Sequence, residues 1–174
     1  MAGSTFQGPI RSLSGLYMQG PASVVAVSTA TLTLNPADHG GRILNITAAT
    51  TTITLPAVNA SANPASSGPG QDPNTLNNLG VMYTFVLPTA ATAVKVITGA
   101  GDYLLGGVDV ALASGASTMY AANGSTIRSI NLNGTTTGGI AGSTFTLVAF
   151  AANTYLVQGQ LIGSGTLATP FATS

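Results

Sequence analysis

Thr31-Leu32-Thr33-Leu34 and Thr52-Ile53-Thr54-Leu55 set threonine against leucine or isoleucine at every second position. Successive side chains of a strand point to opposite faces, so each run presents one apolar and one polar face. Between them Asn35-Pro36-Ala37-Asp38-His39-Gly40-Gly41 is turn chemistry, and Arg42 to Ile46 reads as a further short strand. Val81 to Leu87 is apolar on both faces apart from Thr84, the pattern of a central strand covered on both sides. Ala93 to Thr98, Ser117 to Ala121, Thr126 to Leu132, Thr144 to Phe150 and Thr154 to Ile162 complete the set. With 22 Gly and 9 Pro, no segment keeps an apolar stripe at i, i+3, i+4 and i+7 long enough for a helix. The reading is an all-β chain, an antiparallel sandwich or barrel-like domain of about ten short strands. No repeat of about 20 to 50 residues stands out, so a solenoid is not expected.

Three stretches fall outside the strand pattern. Residues 1–21 contain the paired steps Gly8-Pro9 and Gly20-Pro21 without sustained alternation, and read as an extended N-terminal arm. Residues 57–78, inside a β-domain spanning 22–162, are rich in Asn, Pro, Ser and Gly and long for an interior connection, which marks a surface loop or a partner-binding excursion. Residues 163–174 are small and polar around Pro170 and Phe171 and read as a C-terminal tail.

Composition narrows the function classes. The chain of 174 residues carries 5% charged side chains, where an ordinary domain carries about 25%. Arg11, Arg42, Lys95 and Arg128 balance Asp38, Asp72, Asp102 and Asp109, for a net charge of zero. Monomeric proteins usually keep net charge away from zero because self-repulsion opposes association, so this balance suits a component of a larger assembly. Nucleic-acid binding needs clustered Lys and Arg, so no nucleic-acid partner is expected. No run approaches the roughly 20 apolar residues of a membrane helix, although mean hydropathy is +0.43, and no membrane partner is expected. The opening residues lack the basic and apolar stretches of a secretory signal. Zero cysteines exclude disulfides, thiolate metal sites and a Cys nucleophile.

Acid–base chemistry would have to draw on His39 and four scattered aspartates. His39 beside Asp38 has the composition of a dyad, but neighbours in a turn point apart, and Asp-His-Gly-Gly reads as a tight reversal. Asp102 and Asp109 could offer oxygen to a hard cation, yet neither lies in a loop of regularly spaced carboxylates. Gly99-Ala100-Gly101-Asp102 lacks the spacing and the Lys of a phosphate loop and reads as a turn. Asn123-Gly124-Ser125 and Asn133-Gly134-Thr135 are hairpin signals before they are sequons. No catalytic residue, metal site or cofactor is expected, and the chain reads as a non-enzyme.

Tyr83, Phe85, Phe145 and Phe150 fall inside strands and are expected in the core. Phe6, Tyr17 and Phe171 lie in the arm and tail, where a ring either anchors in a neighbour's pocket or folds back on its own domain. The candidate contact set is Phe6, Ile10, Arg11, Leu16, Tyr17 and Phe171.

Phe6-Gln7-Gly8-Pro9-Ile10-Arg11-Ser12, followed by Gly15-Leu16-Tyr17 and Gly20-Pro21, resembles the opening of head decoration (cement) proteins of tailed bacteriophages. Leu32 and Leu34, Asp38 with Gly40-Gly41, Arg42-Ile43 and Ile53-Thr54-Leu55-Pro56 are similar to a strand pattern of phage decoration and fibre proteins, as is Tyr155-Leu156-Val157-Gln158-Gly159. The resemblance covers roughly the first 56 residues and the last 20 and leaves 57–78 unmatched. It implies a virion structural protein that binds the major capsid protein on the capsid exterior, often as a homotrimer, and stabilises the shell after synthesis in the host cytoplasm. The alternatives are a head-fibre or tail-fibre module contacting a receptor or glycan, or a secreted carbohydrate-binding β-domain. A glycan groove usually exposes aromatic and acidic side chains, and a chain without Trp and with four Asp favours decoration.

Overall fold

The computed structural model describes residues 23–63 and 72–174, and the chain there alternates between two sheets. Strands β1 (Val24–Val27), β3 (Ile43–Ile46), β5 (Met82–Val86), β7 (Tyr103–Leu112), β8 (Ser117–Asn123), β10 (Thr144–Ala151) and β11 (Thr154–Gly163) form the larger sheet, in the order β1-β3-β5-β10-β11-β7-β8. Strands β2 (Thr31–Thr33), β4 (Thr50–Thr54), β6 (Ala93–Ile97), β9 (Ser129–Leu132) and β12 (Phe171–Ala172) form the smaller, in the order β12-β9-β6-β4-β2. The two Thr-alternating runs that define the fold class are β2 and β4, and they lie side by side.

They are parallel, which corrects the antiparallel expectation. From β1 to β6 each strand crosses to the opposite sheet and the next returns one turn later in the same direction. Thus β1, β3 and β5 run parallel in one sheet, and β2, β4 and β6 in the other. This is a short two-sided coil. Its first turn advances 19 residues from Val24 to Ile43 and 21 from Thr31 to Thr52. The second advances 41 from Ile43 to Thr84 and 43 from Thr52 to Lys95, because residues 57–78 are inserted in it. One insertion thus hides the repeat from a search for a constant period. The remaining strands close the coil with mostly antiparallel pairs, β5–β10–β11 in the larger sheet and β6–β9–β12 in the smaller. The long β7–β11 pair is again parallel.

Both Asn-Gly turns work as corners rather than hairpins. Gly124 (φ 74°) and Gly134 (φ 70°) take the left-handed backbone that glycine adopts without strain. The first leads from β8 to β9, in different sheets, and the second leaves β9 towards β10, again in different sheets. The turn after β2 contains α1 (Pro36–His39), capped by Asn35, whose Oδ1 accepts the Asp38 N–H at 2.7 Å.

The inner faces of the two sheets share one core. Alternation along β5 and β10 buries Tyr83, Phe85, Phe145, Leu147 and Ala149, and Phe85 and Phe145, opposite each other in register, stack at 4.8 Å between ring centroids. The smaller sheet contributes Ile53, Val94, Val96, Ile130 and Leu132. The C-terminal segment is part of this structure, not a free tail. Its backbone carbonyls at Pro170 and Ala172 accept N–H groups of Asn131 and Arg128, and Ser129 Oγ donates to the Ser174 carbonyl. Phe171, expected as a contact residue, is instead 7% exposed and packs in the core, because the β12 ladder turns its ring inward.

Candidate interaction face

The outer face of the larger sheet carries exposed apolar side chains among polar ones. Among the described residues the large hydrophobic side chains left exposed are Val24, Ile43, Leu79, Met82, Leu105, Met119 and Phe150. Six lie in strands of the larger sheet and Leu79 precedes β5 by a short turn, whereas the smaller sheet contributes none. Register places two of them, Met82 and Leu105, in one row. Met82 pairs with Val148, Val148 with Leu156, and Leu156 with Leu105, giving one unbroken apolar row across β5, β10, β11 and β7. Phe150, 59% exposed, stands beside that row. The adjacent row runs Val24, Ile43, Thr84, Thr146, Gln158. The seven strands of this sheet contain a single charged residue, Asp109, on β7 opposite Met119.

Seven strands spaced about 4.8 Å apart make a face roughly 30 Å wide. The apolar row crosses four of those strands, roughly 14 Å, and a contiguous exposed apolar patch marks an interaction site. The central strand makes the same point. The sequence of β5 reads as covered on both faces, but this chain covers one, leaving Met82 44% exposed on the other.

Phe150 corrects the expectation that it is core. Phe145, Leu147 and Ala149 set the inward phase of β10, and position 150 is out of phase, beside the bulge between Ala149 and Ala151. That phase was the available signal, along with Met82 and Leu156 at outward positions of their strands. Of the contact residues named from sequence, Phe6, Ile10, Arg11, Leu16 and Tyr17 lie outside the described residues, as does the arm.

Beside the apolar face, the inserted loop is pinned at its neck. Asn78, buried, accepts the Asn59 N–H at 2.8 Å and donates Nδ2 to the Ala57 carbonyl at 2.9 Å, tying the two ends together as in an Ω-loop. Asp102 accepts the Val58 N–H at 2.8 Å, and Tyr155 Oη donates to the Pro56 carbonyl at 2.8 Å. Arg128 Nη2 donates to the Gly99 carbonyl at 3.0 Å, fixing the turn before Asp102.

This cluster holds the titratable groups that the fold perturbs. Burial pushes the Asp102 carboxyl up from its ordinary range, against the opposing pull of the Val58 N–H and the Arg128 charge. Burial pushes the Tyr83 phenol up to about 12 and raises Tyr155 as well, the latter aided by Tyr83 and Asp102. Asp102 is 1% exposed and serves as a structural acceptor for the loop neck. Asp38 and His39 each engage Asn35, through Asp38 Oδ2 to Nδ2 at 2.9 Å and His39 Nδ1 to the N–H at 3.1 Å. Asp109 lies within a strand. Among the described residues no three His, Cys, Asp or Glu side chains gather as metal ligands.

No protein-family profile, curated protein or solved structure matches the chain.

Proposed function

We propose that this chain is a structural virion protein, a decoration subunit that binds the outer surface of a tailed-phage capsid and stabilises the shell. The observation that carries the reading is the outer face of the larger sheet: an apolar row of Met82, Val148, Leu156 and Leu105 in a surface with one charge. Covering such a row is favourable, since each fully covered Leu or Met contributes about 1.5–3 kcal/mol. The occupant is the major capsid protein, for which the Phe6 to Tyr17 resemblance argues; the same resemblance implies a homotrimer, and zero net charge removes the repulsion that would hold copies apart.

The test is binding to expanded, empty shells by co-sedimentation. Met82→Lys combined with Leu105→Lys places two charges in the row at exposed positions, where stability should change by no more than about 0.5 kcal/mol each. The double variant should fold and lose at least about 100-fold in affinity, since two desolvated anchors are replaced by charges that must be buried unpaired. Unchanged attachment by a folded double variant would remove this face from the account.

A further inference from the structure

The smaller sheet carries a different feature on its own outer face. A groove of about 510 Å³ opens over β4, β6 and β9, within the range of about 300–1,000 Å³ typical of small-molecule sites. One register row crosses it, Thr52 to Lys95 to Asn131, and Thr50 and Thr92 flank that row. The turn from Asn133 to Thr137 walls one side and is held rigid, since Asn133 Oδ1 accepts the N–H groups of Thr135 and Thr137 at 2.9 and 3.1 Å.

Lys95 is the sole lysine of the chain, and the four aspartates are committed or distant. Asp38 engages Asn35, Asp72 caps Asn74, Asp102 accepts from Val58, and Asp109 sits in the opposite sheet. The ammonium therefore has no carboxylate of its own chain to neutralise it among the described residues. The groove thus offers one positive charge and the hydroxyls of Thr50, Thr52 and Thr92, on a sheet otherwise without charge. A lone ammonium with neutral hydroxyls matches a ligand that joins one carboxylate to several hydroxyls. It does not match a phosphodiester backbone, whose binding scales with the number of cations.

We infer that this groove binds a carboxylate-bearing sugar of the hexuronate class, its carboxylate on Lys95 and its hydroxyls on Thr50, Thr52 and Thr92. The groove and the apolar face lie on opposite sheets, so a subunit docked by the larger sheet presents the groove to the surroundings, and each site can fail without the other.

A single lysine makes the test direct. The full chain labelled with ¹³C-lysine gives one Lys ε-methylene signal, to be followed by NMR during titration with glucuronate, with glucose and with acetate. A saturable shift with glucuronate in the millimolar range, at least about tenfold weaker for acetate and for glucose alone, is the expected result. Thr52→Val should keep the signal and weaken glucuronate about fivefold or more, which a bare charge contact would not do. Absence of a saturable shift up to about 50 mM glucuronate overturns the proposal. So does an equal response to acetate, which would make Lys95 a simple ion contact, and so does a Thr52→Val variant that binds as well as the native chain.

Discussion

Tyr83 lies on the inner face of β5, fully buried, with its Oη lacking any hydrogen-bond partner, and burial pushes its pKa to about 12. Replacing it by Phe removes one oxygen and keeps the ring against Leu147, its register partner on β10. An unsatisfied buried hydroxyl costs about 1–3 kcal/mol, so Tyr83→Phe should leave stability at pH 7 unchanged or raise it by up to about 1.5 kcal/mol. The pH dependence is the sharper test. A group raised in the folded state contributes fully below its unfolded pKa, about 10, and loses that contribution as pH climbs towards the folded value. At pH 11 the unfolded phenol is largely ionised and the folded one largely neutral, which favours unfolding by on the order of 1 kcal/mol. The native chain carries this loss, with more from Tyr155, and the variant loses the Tyr83 share. Urea melts at pH 7 and pH 11 should therefore show Tyr83→Phe gaining on the order of 1 kcal/mol more at the higher pH. A variant destabilised by more than about 1 kcal/mol at pH 7, with no surplus at pH 11, would mean that Oη has a partner and the burial argument is wrong.

Three further predictions follow from the same physics. The raised Asp102 carboxyl contributes most below its unfolded pKa of about 3.9 and loses that contribution as pH rises, so Asp102→Asn should be more favourable at pH 7 than at pH 3 in thermal melts; the opposite order would make Arg128 the stronger influence. Removing residues 1–21 should leave β-type circular dichroism intact and weaken attachment to shells severely; full attachment would confine the binding surface to the β-domain, and unfolding would place the arm in the core. Light scattering at micromolar concentration should give a trimer mass, and a persistent monomer would count against assembly through neutral surface.

The period-two alternation made much of the fold legible, because it reports which face of a strand is buried regardless of its partner. It located β2 to β6 and β8 to β11 to within a few residues. It could not report direction, since parallel and antiparallel strands alternate alike, and the coil only emerges once chain crossings are known. Val24-Val25-Ala26-Val27 escaped because four apolar residues are too short a run to show a phase. Strand β7 escaped because Gly106-Gly107 reads as a break. In fact a Cβ at Gly107 would sit 2.8 Å from the Tyr120 carbonyl oxygen, so glycine is what lets the neighbouring strand approach. Phe171 was misplaced because a two-residue edge strand leaves almost no pattern. The apolar face was partly visible in Val81 to Leu87, whose two-sided hydrophobicity demands a second cover. The residues that gather there come from strands distant in sequence, and register alone unites Met82, Val148, Leu156 and Leu105.

Copy number per particle separates a capsid decoration subunit from a fibre component. Quantitative mass spectrometry of purified virions containing this chain, scaled to the major capsid protein, should return hundreds of copies in a whole-number relation to capsid lattice positions, with the protein shed when Met82→Lys and Leu105→Lys are introduced together. A few tens of copies would identify a fibre component, and absence from particles would contradict the account altogether.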